Sequence, residues 1–378
     1  MQSRKLHIVS FDNPYPPVYG GVIDVFYKLK ALHGLGFEIY LHCFVDQDTA
    51  PHQELQRYAK EVHFYRRKKK RNSHKWFSVY PFAVFSRYKK ALYDNLKKVD
   101  APILFEGQQS SYVARKHDFG GRKMLLRLHN LEANYFLGQA RSATHWFKKA
   151  AYFSEFLKYR WFQRDMKKFD AVLALSRFEQ HAARQYSDKV YYVPVFHGNE
   201  AVAELSGFGK YAIYHGDLRL ADNRRAAKFL IEVFKEIPDY PLVIASSGHG
   251  DFVKPLISGT AHISYTDINN DDPSHLTRLL ADAHLNVMLS FQESGTKLKA
   301  VYALFRSRFC IINKNMLDDE NLRGLCTMAE TRQDFIDAVN QLKTQPFDQT
   351  FRRKEVLAEI LDDRKNATEI LNIINDWP

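Results

Sequence analysis

A polar loop that follows an apolar stretch carries the sharpest chemical signal in the sequence. LNVMLSF is typical of a buried strand, QESG follows it, and TKLKAVYALF is typical of a helix. Amides at the beginning of a helix bind anions, and a lysine in the first turn adds positive charge. The predicted diphosphate site consists of Ser294, Gly295, Thr296, Lys297 and Lys299. Glu293 is placed to accept hydrogen bonds from sugar hydroxyls. A helix capped by Ser294 or Thr296 is the alternative, and both can hold.

Two turns after other candidate strands could also approach a ligand. Gly20 and Gly21 follow NPYPPVY and precede the first long helix, where backbone can come close to a phosphate or sugar oxygen. The pattern is neither GxGxxG nor a Walker loop, which argues against dinucleotide and P-loop sites. HGDLR, with His215, Gly216 and Arg219, occupies the corresponding position in the second half. An ordinary tight turn is the alternative at both places.

His129 ends the candidate strand KMLLRLHN. The carboxyl ends of strands in open α/β sheets contact ligands, so a histidine there could bond a substrate or stabilise developing charge. A strand-end histidine whose hydrogen bonds are satisfied within the protein is the alternative.

A basic run with interleaved aromatic residues lies in the first half. Its members are Arg66, Arg67, Lys68, Lys69, Lys70, Arg71, Trp76 and Phe77. Such a segment could bind anionic lipid headgroups or nucleic acid, or form a solvated loop. The aromatic residues favour the membrane, as does a second basic and aromatic helix predicted at Trp146–Phe169. No RNA-binding motif accompanies the run, and we expect no nucleic-acid partner.

Composition and charge narrow the class of protein. The chain has 378 residues, 45% of them apolar and 26% charged, as in globular proteins. Residues 1–200 carry 34 Lys/Arg against 18 Asp/Glu, a net charge of +16, whereas residues 201–378 carry 21 against 25, a net charge of −4. The basic half predicts an anionic partner. We predict no membrane-spanning helix and no secretory signal. Three distant cysteines form neither a metal site nor a disulfide framework.

Apolar runs alternate with helical patterns in both halves of the sequence. The predicted strands are Leu6–Ser10, Glu38–Phe44, Val62–Tyr65, Ile103–Glu106, Met124–His129, Ala171–Leu175, Val190–Val193, Ala212–Gly216, Leu242–Ser246, His262–Tyr265, Leu285–Phe291 and Phe309–Asn313. The predicted helices are Val22–Leu35, Phe147–Phe169, Asn223–Phe234, His275–Ala283, Thr296–Phe305 and Gln333–Leu342. This alternation predicts an α/β protein with two doubly wound parallel sheets and a cleft between them. A glycine-containing linker is predicted near 196–209.

Taken in order, these motifs resemble the GT-B glycosyltransferases, and within them the family 4 type of retaining transferases. The resemblance covers nearly the whole chain. The motifs that carry it are PPVYGG, His129-Asn-Leu-Glu132 with Tyr135-Phe136, DAVLALS ending at Ser176, Val193-Pro194, YHGD with Asn223, and SGTKLK with Ala303-Leu304.

Two positions depart from the family pattern. Many members carry a second glutamate eight residues after the first in the donor loop, where this sequence has Val301, or Tyr302 with a gap. Many also carry an Arg/Lys pair after the first C-domain strand, where Asp217 and Asn223 stand here. Lys297 and Lys299 are the first candidates to replace that charge, and Arg219 is a further one.

The resemblance implies a GT-B fold, with two Rossmann-like domains facing a central cleft. Residues 1–198 would bind the acceptor and residues 199–350 the nucleotide-sugar. Residues 351–378 would form C-terminal helices packing back towards the first domain. It also implies transfer of a hexose-type sugar to a glycan or lipid-linked acceptor with retention of configuration, in surface polysaccharide or glycolipid assembly. His129 and Glu293 would be catalytic, and Gly20, Gly21, His215, Gly216 and Arg219 would join the diphosphate site in holding the donor.

We expect no cofactor and no metal, because the nucleotide-sugar is a substrate and protein groups would meet the diphosphate charge. We expect a cytosolic protein attached peripherally to the inner face of an anionic membrane. A nucleotide-sugar epimerase of the same fold and a catalytically degenerate scaffold protein are the alternatives. The missing second glutamate is the best support for the scaffold.

Overall fold

The chain folds as two compact units in a computed structural model. The structure describes residues 4–47, 50–68, 78–143, 145–269, 272, 274–292 and 295–376. Unit 1 comprises Met1–Phe196 and Leu361–Pro378, and unit 2 comprises His197–Ile360. The sequence prediction placed the first boundary two residues later. The segment predicted at 351–378 is divided between the units.

The strands in the described residues are β1 (Arg4–Ser10), β2 (Phe37–Val45), β3 (Glu61–Arg66), β4 (Ile103–Glu106), β5 (Met124–Leu128), β6 (Ala171–Ala174), β7 (Val190–Tyr192), β8 (Ala212–His215), β9 (Leu242–Ser246), β10 (Ile263–Asp267), β11 (Leu285–Met288), β12 (Phe309–Ile312) and β13 (Thr327–Met328). The helices are α1 (Gly20–Gly34), α2 (Gln53–Gln56), α3 (Phe82–Phe85), α4 (Lys90–Lys98), α5 (Gly107–Ser110), α6 (Tyr112–Lys116), α7 (Glu132–Ser142), α8 (Trp146–Phe162), α9 (Arg177–Ala183), α10 (Ala221–Phe234), α11 (Gly250–Val253), α12 (Ser274–Asp282), α13 (Leu298–Arg306), α14 (Glu320–Arg323), α15 (Arg332–Leu342), α16 (Thr350–Ile360) and α17 (Asp363–Asn375). Short 3-10 helices lie at Gln163–Lys168 and Lys254–Ile257.

Unit 1 contains a parallel sheet in the order β3-β2-β1-β4-β5-β6-β7. Successive residues of a strand point to opposite faces, and here both faces are buried. On β1, Leu6 and Ile8 belong to one apolar cluster and Val9 to the other. Because the strand order reverses between β1 and β4, their carboxyl ends form the edge at which such sheets bind ligands.

The C-terminal helix belongs to unit 1 because its apolar face packs on α1. Ala367, Ile370 and Ile374 of α17 share a buried cluster with Leu29 and Leu32 of α1. The helix predicted at Phe147–Phe169 is shorter than expected. It ends at Phe162, and the chain continues as a 3-10 helix.

Unit 2 repeats this topology in a sheet with the order β10-β9-β8-β11-β12-β13. Its described pairs are also parallel. The two-residue strand β13 was missed, since a pair of residues has no detectable periodicity. The prediction of two doubly wound, Rossmann-like units is confirmed.

Gly209 lies where two backbone segments of unit 2 touch. A Cβ there would come within 2.5 Å of the Ala283 carbonyl carbon and the His284 nitrogen. We predict that Gly209→Ala lowers the free energy of unfolding by about 1–3 kcal/mol, because backbone must shift. Gly34→Ala is the control, since a Cβ there meets nothing within 4 Å. Urea unfolding measures both, and equal midpoints would contradict the close-contact argument.

Candidate functional site

The glycines predicted to approach a ligand begin α1 at the ligand-binding edge of unit 1. Tyr19 precedes them as the N-cap residue, and its hydroxyl donates to Asp12 Oδ2 at 2.7 Å. A Cβ on Gly21 would lie 2.7 Å from the ring of Phe11, whereas one on Gly20 would meet nothing within 4 Å. The backbone at Gly21 therefore lies against the Phe11 ring, whereas the backbone at Gly20 faces open space.

His129 follows β5 at the same edge of the sheet. Its Nε2 lies 2.9 Å from Glu106 Oε2, and its Nδ1 lies 3.9 Å from Asp24 Oδ2. The ring packs edge-on against Phe11 with the centroids 5.3 Å apart, and the side chain is 9% exposed. Glu106 thus fixes the imidazole by accepting the Nε2 hydrogen. Nδ1 has no hydrogen bond within the described residues, and the predicted catalytic role stays a prediction.

Four buried charged side chains form an ionic cluster next to His129. Lys28 Nζ lies 2.7 Å from Asp24 Oδ2 and 2.9 Å from Glu106 Oε1. Arg127 Nη2 lies 2.7 Å from Asp24 Oδ1. Two carboxylates and two cations are therefore paired where water cannot reach them.

The cations keep both buried carboxyl groups ionised. Burial alone would raise the pKa of Asp24, but the charges of Arg127 and Lys28 hold it well below its usual range. Burial acts in the same direction on Glu106, and the charge of Lys28 and the hydrogen bond from His129 lower its pKa. The sequence analysis missed this cluster. Its signal was charged residues inside apolar runs, as in MLLRL and GGVIDVFYKLK.

Asp24, Glu106 and His129 offer ligand atoms within 4.8 Å of one another, as a metal site would. The two carboxylates are already neutralised by Lys28 and Arg127. A divalent ion would have to displace a buried ammonium group. The arrangement therefore favours the ionic cluster over a metal.

The carboxyl end of β8 in unit 2 holds a partly buried cation beside an imidazole whose Nε2 is unpaired. Lys299 Nζ lies 3.0 Å from Asn223 Oδ1 and 5.0 Å from the centre of the Tyr214 ring. Burial lowers the pKa of Lys299 to about 8, opposed by the charge of Asp222. His215 Nε2 is buried and has no hydrogen-bond partner in the described part of the chain. Burial, helped by the charge of Lys299, lowers the pKa of His215 to about 3.

Gly216 follows His215 in a confined space. A Cβ would lie 3.1 Å from the Tyr214 hydroxyl and 3.3 Å from the Asn223 side chain. Arg219, also predicted to bind the donor, forms a bidentate ion pair with Asp217. Its Nε donates to Oδ1 at 2.9 Å and its Nη2 donates to Oδ2 at 2.8 Å. Its guanidinium is thus already engaged at the surface.

The predicted diphosphate loop is only partly described, because Glu293 and Ser294 lie outside the described residues. The helix predicted to begin at Thr296 begins at Leu298 instead, with Lys297 as the N-cap residue. Just before the helix, the Thr296 hydroxyl donates to Asp318 Oδ1 at 3.1 Å, and the Lys297 amide donates to the Met316 carbonyl at 2.9 Å. Gly295 and Thr296 precede the helix, and Lys299 lies in its first turn.

Asp222 joins the beginning of α10 to the residues after β11. Its Oδ2 accepts from the Ser290 hydroxyl at 2.8 Å, and its Oδ1 accepts from the Phe291 amide at 3.1 Å. Sequence reasoning missed Asp222, because its partners lie 68 and 69 residues away. It fixes the loop that leads to Lys299.

The basic segment of unit 1 is described only at its beginning. Arg66 ends β3, Arg67 Nη2 lies 2.6 Å from Asp46 Oδ2, and Lys68 Nζ lies 4.4 Å from the centre of the Phe85 ring. Arg67 and Lys68 are therefore engaged within unit 1. The remaining members lie outside the described residues; they are Lys69, Lys70, Arg71, Trp76 and Phe77.

The second basic and aromatic segment, α8, exposes large apolar side chains. Trp146 is 68% and Phe147 69% exposed, and Phe153 and Leu157 are also exposed. Lys148 and neighbouring basic residues flank them. No helix among the described residues is both long and apolar enough to cross a membrane.

Lys28 tests whether the ionic cluster holds unit 1 together. We predict that Lys28→Met lowers the free energy of unfolding by about 3–5 kcal/mol, because Glu106 would be left buried without its cation. Lys98→Met, at an exposed position of α4, should change it by less than about 0.5 kcal/mol. Urea unfolding of the full chain compares the variants. A Lys28 variant as stable as the wild type would refute the assigned role.

The chain resembles known proteins in sequence and in structure. No protein-family profile matches the chain. An uncharacterized 44.6 kDa protein in the cps region of Klebsiella pneumoniae is 24% identical over 320 residues, 81% of this chain and 82% of that protein.

Solved structures match this chain over nearly its full length and nearly their own. A glycosyltransferase from Rickettsia africae has a TM-score of 0.66 at 13% identity, covering 100% of this chain and 99% of its own. S. aureus TarM, in complex with alpha-GlcNAc-glycerol and UDP, has a TM-score of 0.64 at 10% identity, covering 99% and 100%. The predicted fold is confirmed: the chain has the GT-B fold, with two Rossmann-like units, that these glycosyltransferases share.

Proposed function

We propose that the protein is a glycosyltransferase that moves a hexose-type sugar from a nucleotide-sugar to a glycan or lipid-linked acceptor, in surface polysaccharide or glycolipid assembly. The observation that carries the proposal is the partly buried Lys299 ammonium beside the unpaired His215 Nε2 at the carboxyl end of β8. The GT-B fold supports it, as do the UDP bound to TarM and the cps-region origin of the relative.

Unit 2 would hold the diphosphate of the donor. Helix α13 has nine residues, and the amides of its first turn present partial positive charge. Lys299 adds a full charge in that turn, and a buried charge-assisted hydrogen bond is stronger than an exposed one. Gly216 and His215 lie beside Lys299, so a phosphate oxygen could approach backbone there. Lys297 and Thr296 would border the site, and Ser294 would complete it.

The proposed transfer retains the configuration at the anomeric carbon. The bond between that carbon and the diphosphate oxygen breaks, and the acceptor oxygen bonds to the carbon from the same face. The acceptor proton passes to the departing diphosphate, whose charge Lys299 offsets. Glu293 would orient the sugar, and His129, held by Glu106, would keep its predicted catalytic role. This route needs no metal.

A panel of UDP-, GDP- and CMP-sugars in a thermal-shift assay tests the donor. A ligand at 100 times its dissociation constant adds roughly 2.7 kcal/mol of stability. Product analysis with and without added acceptor then separates transfer from epimerisation, which needs donor alone. If no nucleotide-sugar or nucleotide stabilises the protein, the proposed function is wrong.

Lys299 gives the sharpest test of the donor site. We predict that Lys299→Ala weakens the binding of UDP, or of the nucleoside diphosphate with the preferred base, roughly ten- to hundredfold. The same substitution should change the binding of the nucleoside little. Since the pKa of Lys299 is lowered to about 8, wild-type affinity for the diphosphate should fall as the pH rises from 7 to 9. The variant should lack that fall.

Lys235→Ala is the matched control, because Lys235 pairs with Glu232 on the exposed side of unit 2. Calorimetry at three pH values measures all three proteins. An equal loss for nucleoside and diphosphate would show that Lys299 does not contact the diphosphate.

We further propose that unit 1 docks on an anionic membrane, where a lipid-linked acceptor would be presented. The support is the net charge of +16 in residues 1–200 and the exposed aromatic residues of α8. Each Lys or Arg near an anionic surface contributes about 1 kcal/mol, so attachment would be peripheral and salt-sensitive.

Vesicle co-sedimentation tests the docking. We predict binding to anionic but not neutral vesicles at low salt, and a loss of roughly fivefold or more when Trp146 and Phe147 are both changed to Ser. Phe351→Ser is the control, since Phe351 is 73% exposed in unit 2. Equal sedimentation with neutral and anionic vesicles would remove the membrane proposal and leave the transferase proposal intact.

A further inference from the structure

A group of polar side chains near the beginning of α7 is used by neither the donor site nor the ionic cluster. We call it the Glu132 cluster, and it consists of Arg87, Gln109, Glu132 and Tyr159. Gln109 Nε2 donates to Glu132 Oε1 at 2.5 Å. Glu132 makes no ion pair with any described residue. Burial raises the pKa of its carboxyl group to about 7. The second carboxyl oxygen is thus available to a ligand.

Arg87 brings positive charge close to Glu132 without bonding to it. Its Nε donates to the Phe11 carbonyl at 2.7 Å, and its Nη1 donates to the Ala83 carbonyl at 2.8 Å. The guanidinium is buried and held rigid by these two carbonyl groups. Its charge lowers the pKa of Glu132, opposing the larger effect of burial.

Tyr159 supplies a second group whose hydrogen-bonding capacity is unused. Its side chain is fully buried, and its hydroxyl has no partner among the described residues. The charged groups that act on the hydroxyl are Glu132, Glu155 and Arg87. A buried hydroxyl without a partner costs free energy that a ligand or ordered water would recover.

The cluster lies at the ligand-binding edge of unit 1, next to His129. Gln109 lies two residues after Gly107, which follows β4, and Glu132 lies three residues after His129, which follows β5. Phe11 connects the two places. Its ring packs against His129, and it lies 3.4 Å from where a Cβ on Gly107 would be.

We propose that the Glu132 cluster binds a neutral sugar residue of the acceptor, with Glu132 accepting a hydrogen bond from one of its hydroxyls. A carboxyl, an amide, a guanidinium and a phenol together offer the donors and acceptors that adjacent sugar hydroxyls require. One acidic and one basic group balance each other, which favours a neutral ligand over an anion. This inference rests on the proposed function for its assignment to the acceptor.

Saturation-transfer NMR with the full chain and no donor tests the binding directly. The probes are the methyl α- and β-glycosides of glucose, galactose, mannose and N-acetylglucosamine. We expect at least one to bind, and its dissociation constant to rise at least tenfold in Glu132→Gln and about threefold in Tyr159→Phe. Glu54→Gln should bind like the wild type, because Glu54 pairs with Arg57 on α2, outside the cluster.

The result that overturns the proposal is that none of the glycosides binds, or that Glu132→Gln binds them as well as the wild type. If that variant does not fold, Gln109→Ala and Tyr159→Phe decide in the same way. Nucleotide-sugar binding is measured separately in the thermal-shift panel. Donor binding without glycoside binding removes only this inference. Glycoside binding without donor binding removes the proposed transferase and the assignment of the sugar to an acceptor, and it leaves the sugar site itself.

Discussion

A charge buried in a protein must be neutralised by a partner. This constraint distinguishes the charged groups that are paired within the fold from the polar groups that a ligand would pair. In unit 1, Asp24 and Glu106 are matched by Lys28 and Arg127 within 3 Å. Leaving any one of the four unpaired in a low-dielectric interior would be costly. The cluster joins α1 to β4 and β5, and His129 takes its orientation from it.

Three polar groups that are wholly or partly buried lack such a match. Lys299 makes no ion pair with the described residues, and the nitrogen of His215 and the hydroxyl of Tyr159 have no hydrogen-bond partner among them. Lys299 and His215 lie near the carboxyl end of β8, and Tyr159 lies in the Glu132 cluster of unit 1. The proposals concern these groups because a ligand would supply what the protein does not.

In the proposed transfer, the shared topology would give each unit its own place to bind a ligand. Both sheets place their first strand beside their fourth, so each unit has a reversal in strand order and a ligand-binding edge. Unit 1 carries acidic, basic and aromatic side chains at that edge, which suit sugar hydroxyls. Unit 2 carries a helix beginning and a lysine, which suit a diphosphate. The differences lie in the loops, while the scaffold is repeated.

The sequence alone determined the strand–helix alternation, the two doubly wound units and the position of Lys299 in the first turn of a helix, because hydrophobic periodicity is a local property. It could not reveal that Lys28 meets Glu106, 78 residues away, or that Asp222 holds the residues after β11. Nor could it reveal that the Thr296 hydroxyl bonds to Asp318, or that α13 begins at Leu298. Such pairings depend on which strands become neighbours, and only the tertiary structure decides that, since a side chain's partner is set by packing across the sheet rather than by its place in the chain.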